Sequence, residues 1–134
     1  MRIPVLDSIA SAHSTIQRQG FASSLQRQLG DPVSPVFATS QLVELMEMAA
    51  ARLLYPYLEQ GEYSVGVSID IVNAVTTLSA ATAAATARYV ARDGALYVFE
   101  VFAVDTHGEI GRGTHTRTIV SSDDLREDPA GAGI

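Results

Sequence analysis

One stretch of this chain carries a convincing helical periodicity, and nearly all of its extended stretches come after it. From about Thr39 to Leu58, at about 100° per residue, Leu42, Leu45, Met46, Ala49, Leu53 and Tyr57 fall on one side. Val43, Ala50 and Leu54 widen that arc, Glu44, Arg52 and Glu59 lie opposite, and Glu47 projects at the border of the apolar arc. Pro56 should kink or end the helix and Gly61 should close it. A helix apolar over so wide an arc has to be covered, and the rest of the chain must supply the cover.

The segments that follow read as strands. Tyr63, Val65, Val67, Ile69, Ile71 and Val75 alternate with Ser64, Gly66, Ser68 and Asp70, the period of a strand with one buried face. Asn73, the only asparagine in the chain, falls on that apolar face unless a bulge intervenes. Residues 80–91 are alanine-rich enough to favour helix by propensity, but Thr82 and Thr86 interrupt them and Arg92-Asp93-Gly94-Ala95 is a hairpin turn. Residues 78–92 therefore read as a long strand with small side chains on both faces, so that the helix or a partner subunit can pack closely. Residues 95–105 are apolar on both faces, as a central strand requires, and 106–108 turn into a last strand, 109–121. Ahead of the helix, residues 1–12 are weakly patterned and 13–18 fit a short first strand. Gly20, Gly30, Pro32 and Pro35 then punctuate a loop that could serve as a lid. This order predicts an α+β fold, a long central helix wrapped by an antiparallel sheet of about five strands. It spans a single domain, residues 1–121, with an acidic tail, 122–134, whose composition predicts disorder.

At 134 residues the chain can bury a core without disulfides or metal. The absence of cysteine excludes thiol nucleophiles and zinc–thiolate centres, and the absence of lysine excludes Schiff-base chemistry. A net charge of −6 and a pI near 4.8 argue against a nucleic-acid partner, which needs a concentrated basic surface. No run approaches the roughly 20 apolar residues of a membrane span. The apolar run before Ala10-Ser11-Ala12 is ended by Asp7, so no signal peptide and no membrane association are expected, and a cytoplasmic location is. No pair of histidines with a carboxylate has metal-ligand spacing, so no metal is expected.

Four stretches stand out by order and spacing: Val36-Phe37-Ala38-Thr39-Ser40; Glu47 followed by Ala49-Ala50; Val65-Gly66-Val67; and Gly111-Arg112-Gly113-Thr114-His115-Thr116-Arg117. Together, over about residues 12–121, they resemble the fluoroacetyl-CoA thioesterase-like branch of the hotdog-fold thioesterases. The resemblance implies a hotdog fold, a homodimer with its site between subunits, and hydrolysis of a small acyl-CoA without any cofactor beyond the coenzyme A of the substrate. It also implies a catalytic threonine at the helix start, a glutamate eight residues later and a histidine on the following strand. A strand glycine would lie at the thioester and an arginine near the chain end would line the pocket. These map onto Thr39, Glu47, position 73, Gly66 and Arg117. The chain departs at position 73, where Asn73 stands in place of the histidine, in a stretch that lacks the family's usual proline and glycine. That leaves the family's acid–base step, and its preference for a fluorinated substrate, open.

Thioester hydrolysis needs a nucleophile, a base to activate it and donors for the oxyanion. Thr39 can be the nucleophile or merely the helix N-cap. Glu47 can be a surface glutamate or, partly desolvated at the edge of the arc, a general base. Eight residues of helix rise about 12 Å, so the two cannot touch along one straight helix. A loop curling back, or a dimer interface, must bring them together. Asn73 cannot take a proton at neutral pH; it is a satisfied core asparagine or it orients water or the thioester carbonyl. Phe37, Gly66, Arg117 and His115 make up the substrate-binding set. His115 shares a strand face with Arg117 and is a candidate replacement base, although an exposed strand histidine is the simpler reading. Arg88, Arg92 and Arg112 fit coenzyme A phosphates or solvated strand ends equally. The expected function is a Glu47-assisted acyl-CoA thioesterase with Asn73 in place of the histidine, working as a homodimer or a higher oligomer. A hydrolase of carrier-protein thioesters and a non-hydrolytic acyl-CoA or small-ligand binding protein are the alternatives.

Overall fold

The computed structural model describes residues 2–16, 35–72, 81–106 and 108–123. Along the chain these form β1 (Ile9–Ile16), α1 (Pro35–Leu54), a 3-10 turn (Tyr55–Tyr57), β2 (Glu62–Val72), β3 (Ala81–Asp93), β4 (Leu96–Asp105) and β5 (Gly108–Ser121). The strands make one antiparallel sheet in the order β1-β3-β4-β5-β2. The helix crosses one face of it, chiefly over β1 and β3. Met1, residues 17–34, residues 73–80 with Asn73 among them, His107 and residues 124–134 lie outside the described residues.

The apolar arc of α1 is the face laid on the sheet: Leu42, Leu45, Met46, Ala49, Ala50, Leu53 and Leu54 are all buried, while Glu44, Arg52 and Glu59 are exposed. The helix begins at Pro35, four residues before the periodicity suggests. Proline suits a first helical position, where its missing N–H has no intrahelical role, and an apolar stripe marks only the part of a helix that meets the core. Thr39 is consequently the fifth helical residue, which removes the N-cap reading. At the other end the α-helix gives way at Leu54 to the 3-10 turn carrying Pro56, Leu58 is extended, and Gly61 turns the chain at φ +84°.

Helix and sheet meet over small side chains. Ala83, Ala85 and Ala87 of β3 and Ala12 of β1 are 1 % exposed or less beneath α1, so the alanine-rich strand does seat the helix. β1 starts earlier than expected, at Ile9, because its inward residues Ala10 and Ala12 are too small to announce a strand by periodicity. β4 lies between β3 and β5 and buries Tyr97, Phe99, Val101 and Ala103 on the helix side. The β3–β4 hairpin closes through Gly94-Ala95, with Gly94 at φ +59° and Asp93 opposite Leu96, as the turn sequence suggests.

Candidate active site

The alternation in β2 does not run through the strand unbroken. Gly66 pairs with Arg117 and Ser68 with Thr116, so Val67 is an extra residue with none opposite, a β-bulge. A one-residue slip exchanges the two faces. Before the bulge Ser64 and Gly66 point inward and Tyr63 outward; after it Ile69 and Ile71 point inward. Tyr63 and Val67 are each 51 % exposed, which corrects the single buried face expected for them. The bulge thus puts a glycine, rather than a valine, beneath the helix at the level of Glu47.

Opposite this bend, β5 presents Gly111, Gly113, His115 and Arg117 inward at every second position. His115 is 1 % and Arg117 7 % exposed, so the exposed-histidine expectation is corrected: the alternation that buries Gly111 and Gly113 buries His115 too. From α1, half-buried Glu47 reaches down between the strands. A Cβ placed on Gly66 would lie 2.7 Å from Glu47 Oε2, 3.3 Å from His115 Cε1 and 3.5 Å from Arg117 Nη1. Three side chains from two elements therefore surround one point above bare backbone.

Arg117 is held firmly. Its Nε donates to Ser64 Oγ at 3.2 Å, Nη2 to the Ser64 carbonyl at 3.1 Å, and Nη1 lies 3.1 Å from His115 Nε2. His115 Nδ1 lies 2.7 Å from the Ser68 carbonyl, and the Phe99 ring stands 6.3 Å from the imidazole, centroid to centroid. Burial pushes the His115 pKa below its ordinary value, the Ser68 bond opposing this, Arg117 adding to it and Glu47 opposing it. Burial also lowers that of Arg117, with the charge of Glu47 acting the other way; a guanidinium stays protonated regardless.

Of the residues singled out from sequence, Glu47, Gly66, His115 and Arg117 are brought together. Thr39 and Phe37 lie in the first turns of α1, with side chains outside the described set, and Asn73 lies outside it altogether. Ser64 and Ser68, which anchor Arg117 and His115, were missed, since a strand serine on an alternating run looks like solvent-facing filler. The three other arginines are engaged elsewhere. Arg88 bonds Asp7 and Glu100, Arg92 stacks 4.3 Å over Tyr97, and Arg112 pairs with Glu109. Among the described residues no group of three or more His, Asp or Glu could hold a metal ion, and no helix is long and apolar enough to cross a membrane.

Gly66 is thus a test of the site that spares the fold. Gly66→Ala would drive a methyl into the tip of Glu47, which can swing aside, and against His115. The expected result is a protein that melts within about 1 kcal/mol of the parent yet loses about 10²-fold in turnover, because the carboxylate is displaced by about an ångström. Circular dichroism melting and thiol release measure the two; unchanged turnover would separate Gly66 from the chemistry.

Residues 21–123 match the family model of the fluoroacetyl-CoA-specific thioesterase. A curated fluoroacetyl-CoA thioesterase from Streptantibioticus cattleyicolor is 40 % identical over 85 residues, 63 % of this chain and 61 % of that protein. The chain therefore matches about three-fifths of the length of that curated relative. Among solved structures, a single-site mutant of the fluoroacetyl-CoA-specific thioesterase FlK superposes with a TM-score of 0.78 at 27 % identity, covering 93 % of this chain and 94 % of that one. A mutant of the same enzyme in complex with fluoroacetate and CoA gives 0.74 at 27 %, over 91 % and 99 %. A Thermus thermophilus thioesterase superfamily member shares the fold at 23 % identity, with a TM-score of 0.78 over 93 % and 90 %. Matched by the family model over most of its length and by the solved folds over nine-tenths, the chain belongs to the fluoroacetyl-CoA-specific thioesterase family, on a hotdog-like fold.

Proposed function

We propose that this chain hydrolyses a small acyl-CoA thioester with Glu47 as general base. One observation carries the reading: the Glu47 carboxylate stands directly over Gly66, where only a glycine leaves it room, with the Arg117 guanidinium beside it. A base and a fixed cationic donor beside an open strand backbone are what attack on a carbonyl carbon requires. Water held at Glu47 loses a proton to the carboxylate as its oxygen bonds the thioester carbon. Negative charge then gathers on the carbonyl oxygen, within reach of Arg117 and of the Gly66 backbone. Collapse breaks the C–S bond, and the departing thiolate takes the proton from Glu47. Asn73 orients the water or the carbonyl in place of the family's histidine, and Thr39 holds the water or serves as nucleophile. Phe37 and His115 complete the substrate-binding set, and no cofactor beyond the substrate's own coenzyme A is used.

Further features fit this reading. A cleft of about 670 Å3 lined by Ala51, Tyr55, Leu58, Tyr63 and Ser64 opens one helical turn beyond Glu47, at the residue that anchors Arg117, and gives room for the body of a thioester. Thr39 and Glu47 are about 12 Å apart along α1, so their cooperation calls for a homodimer or higher oligomer. β2, an edge strand with Tyr63, Val67 and Val72 each 51 % exposed, is the edge a second copy would pair with. In the same reading residues 1–121 form one hotdog unit with an acidic tail, 122–134, in a cytoplasmic protein.

The deciding experiment offers the purified protein a panel of short-chain acyl-CoAs and, in parallel, acylated carrier proteins, and follows thiol release. Release from acyl-CoAs is expected. Release from carriers alone would move the substrate to a carrier-bound acyl group, and tight acyl-CoA binding without release over hours would make the chain a binding protein.

A further inference from the structure

His115 sits between two partners that can each play only one part. A guanidinium has no acceptor, so at 3.1 Å from Arg117 Nη1 the ring nitrogen Nε2 must accept. A carbonyl has no donor, so at 2.7 Å from the Ser68 oxygen Nδ1 must carry the proton and donate. Both bonds form together only in the neutral Nδ1–H tautomer. The Nε2 lone pair is then spent on Arg117, and the edge turned to Gly66 is the carbon Cε1. A carbon edge takes no proton, so this geometry does not support a replacement base.

We infer that His115 is a positioning residue, a neutral imidazole strut running from the Ser68 carbonyl to Arg117 that holds the guanidinium beside the Glu47 carboxylate over Gly66. Ser64 fixes the guanidinium from one side through Nε and Nη2, and His115 fixes it from the other through Nη1. Three of the five N–H donors are thereby committed, leaving one hydrogen each on Nη1 and Nη2 for a substrate oxygen. The strut works only while it is neutral. A proton on Nε2 would set two donors face to face, break the bond and put like charges in contact. The charged groups facing the ring among the described residues are Glu47 from α1 and Arg117 from β5. β4 offers the Phe99 ring and β2 the Ser68 carbonyl and Ile69. Burial and Arg117 resist the proton and prevail over the Ser68 bond and Glu47, which favour it.

The role of Arg117 toward substrate rests on the thioesterase reading; the strut itself does not, and the experiment separates them. Glutamine at 115 can donate to Ser68 and accept from Arg117 without titrating, whereas leucine can do neither. His115→Leu is expected to lower kcat by about 10²-fold with little change in KM, and His115→Gln to recover most of that loss and to flatten the part of the pH profile due to His115. Independently of turnover, 15N-labelled protein should show the Nδ1–H tautomer for His115, assigned by its disappearance in His115→Gln, with a protonation midpoint below the ordinary 6.5. The Arg117 Nε–H signal should stay sharp in the glutamine variant and broaden in the leucine one. Matching melting curves for the two variants would show that the difference is not a folding defect. An Nε2–H tautomer, a ring that titrates at or above its ordinary pKa of 6.5, or glutamine and leucine variants alike in the Arg117 signal would overturn the strut. If the parent releases no thiol from any substrate, the thioesterase reading fails while these spectra still decide the strut.

Discussion

Replacing Glu47 by glutamine should lower kcat by about 10²- to 10⁴-fold while leaving the fold intact. The amide keeps the shape of the carboxylate over Gly66 but cannot take a proton from water. Glu47 is half-buried and its charge acts on His115 and Arg117 nearby, while the apolar arc that seats the helix does not depend on it. Because the group acts as charge develops, kcat and kcat/KM should fall together while KM changes little. Glu44, exposed and one turn earlier, is the matched control: Glu44→Gln should turn over like the parent. The exchange has a second, non-kinetic readout. The charge of Glu47 is one of the forces holding up the His115 pKa, so removing it should push that pKa lower still. The sign for stability follows from proton counting. A histidine whose folded pKa is lowered binds fewer protons than the unfolded chain between that value and 6.5, so stability is lost as pH falls through this window. The Glu47→Gln protein should lose more across it than the parent. A variant keeping over a tenth of the parental kcat would remove Glu47 from the chemistry.

How much of this was legible in the sequence depends on what each residue had to do. The sheet face of α1 was written in large apolar side chains at helical spacing: Leu42, Leu45, Met46, Leu53 and Leu54 are buried, while Val43 and Tyr57, at the margins of that arc, are half-buried. The start of the same helix was not, because Pro35 to Thr39 precede the part that meets the sheet and carry no stripe. In β2 the alternation was real, yet a bulge reverses which half of it is buried, and nothing in Val65-Gly66-Val67 announces an extra residue. Bulges are set by the partner strand, which a local pattern cannot contain. That one residue decides the site: without the slip Gly66 and Ile69 would face opposite sides of the sheet, and Glu47 could not meet bare backbone. His115 and Arg117 were readable as neighbours on one strand face. Their burial followed from Gly111 and Gly113 on the same alternation, a signal present in the sequence but easily read as turn chemistry. Ser64 and Ser68 had no signal, since one of them contributes mainly a backbone carbonyl.

Those two β5 glycines have different work, and substituting each by alanine should show it. At Gly113 an added Cβ would run into the Asp70 carbonyl oxygen and stand 3.0 Å from Ile71 Cα. Every obstacle is backbone of β2, which no rotamer change can clear, so the strand itself must move. At Gly111 the nearest atom is Met46 Cε at 3.2 Å, the tip of a flexible side chain. At Gly94 nothing lies within 4 Å, and only the φ of +59° opposes a side chain. The expected order of destabilisation is therefore Gly113→Ala above Gly94→Ala above Gly111→Ala: about 3 kcal/mol or more for the first, about 1–2 kcal/mol for the second from its left-handed backbone, and about 1 kcal/mol or less for the third. At roughly 4 °C per kcal/mol, the first should lower Tm by roughly 10 °C or more, a large part of what a domain of this size has to lose. The damage should also reach the site, because Gly113 stands opposite Ile71 on the strand pair that carries Gly66 and Arg117. A shift of β2 there changes the reach from Glu47 to Gly66 and the Ser64 hold on Arg117 at once. Gly113→Ala should thus lose turnover even well below its melting temperature, whereas Gly111→Ala should keep it. A Gly113→Ala protein melting within about 2 °C of the parent would mean that β2 gives way at low cost, and that the close approach of the two strands is not what sets the site.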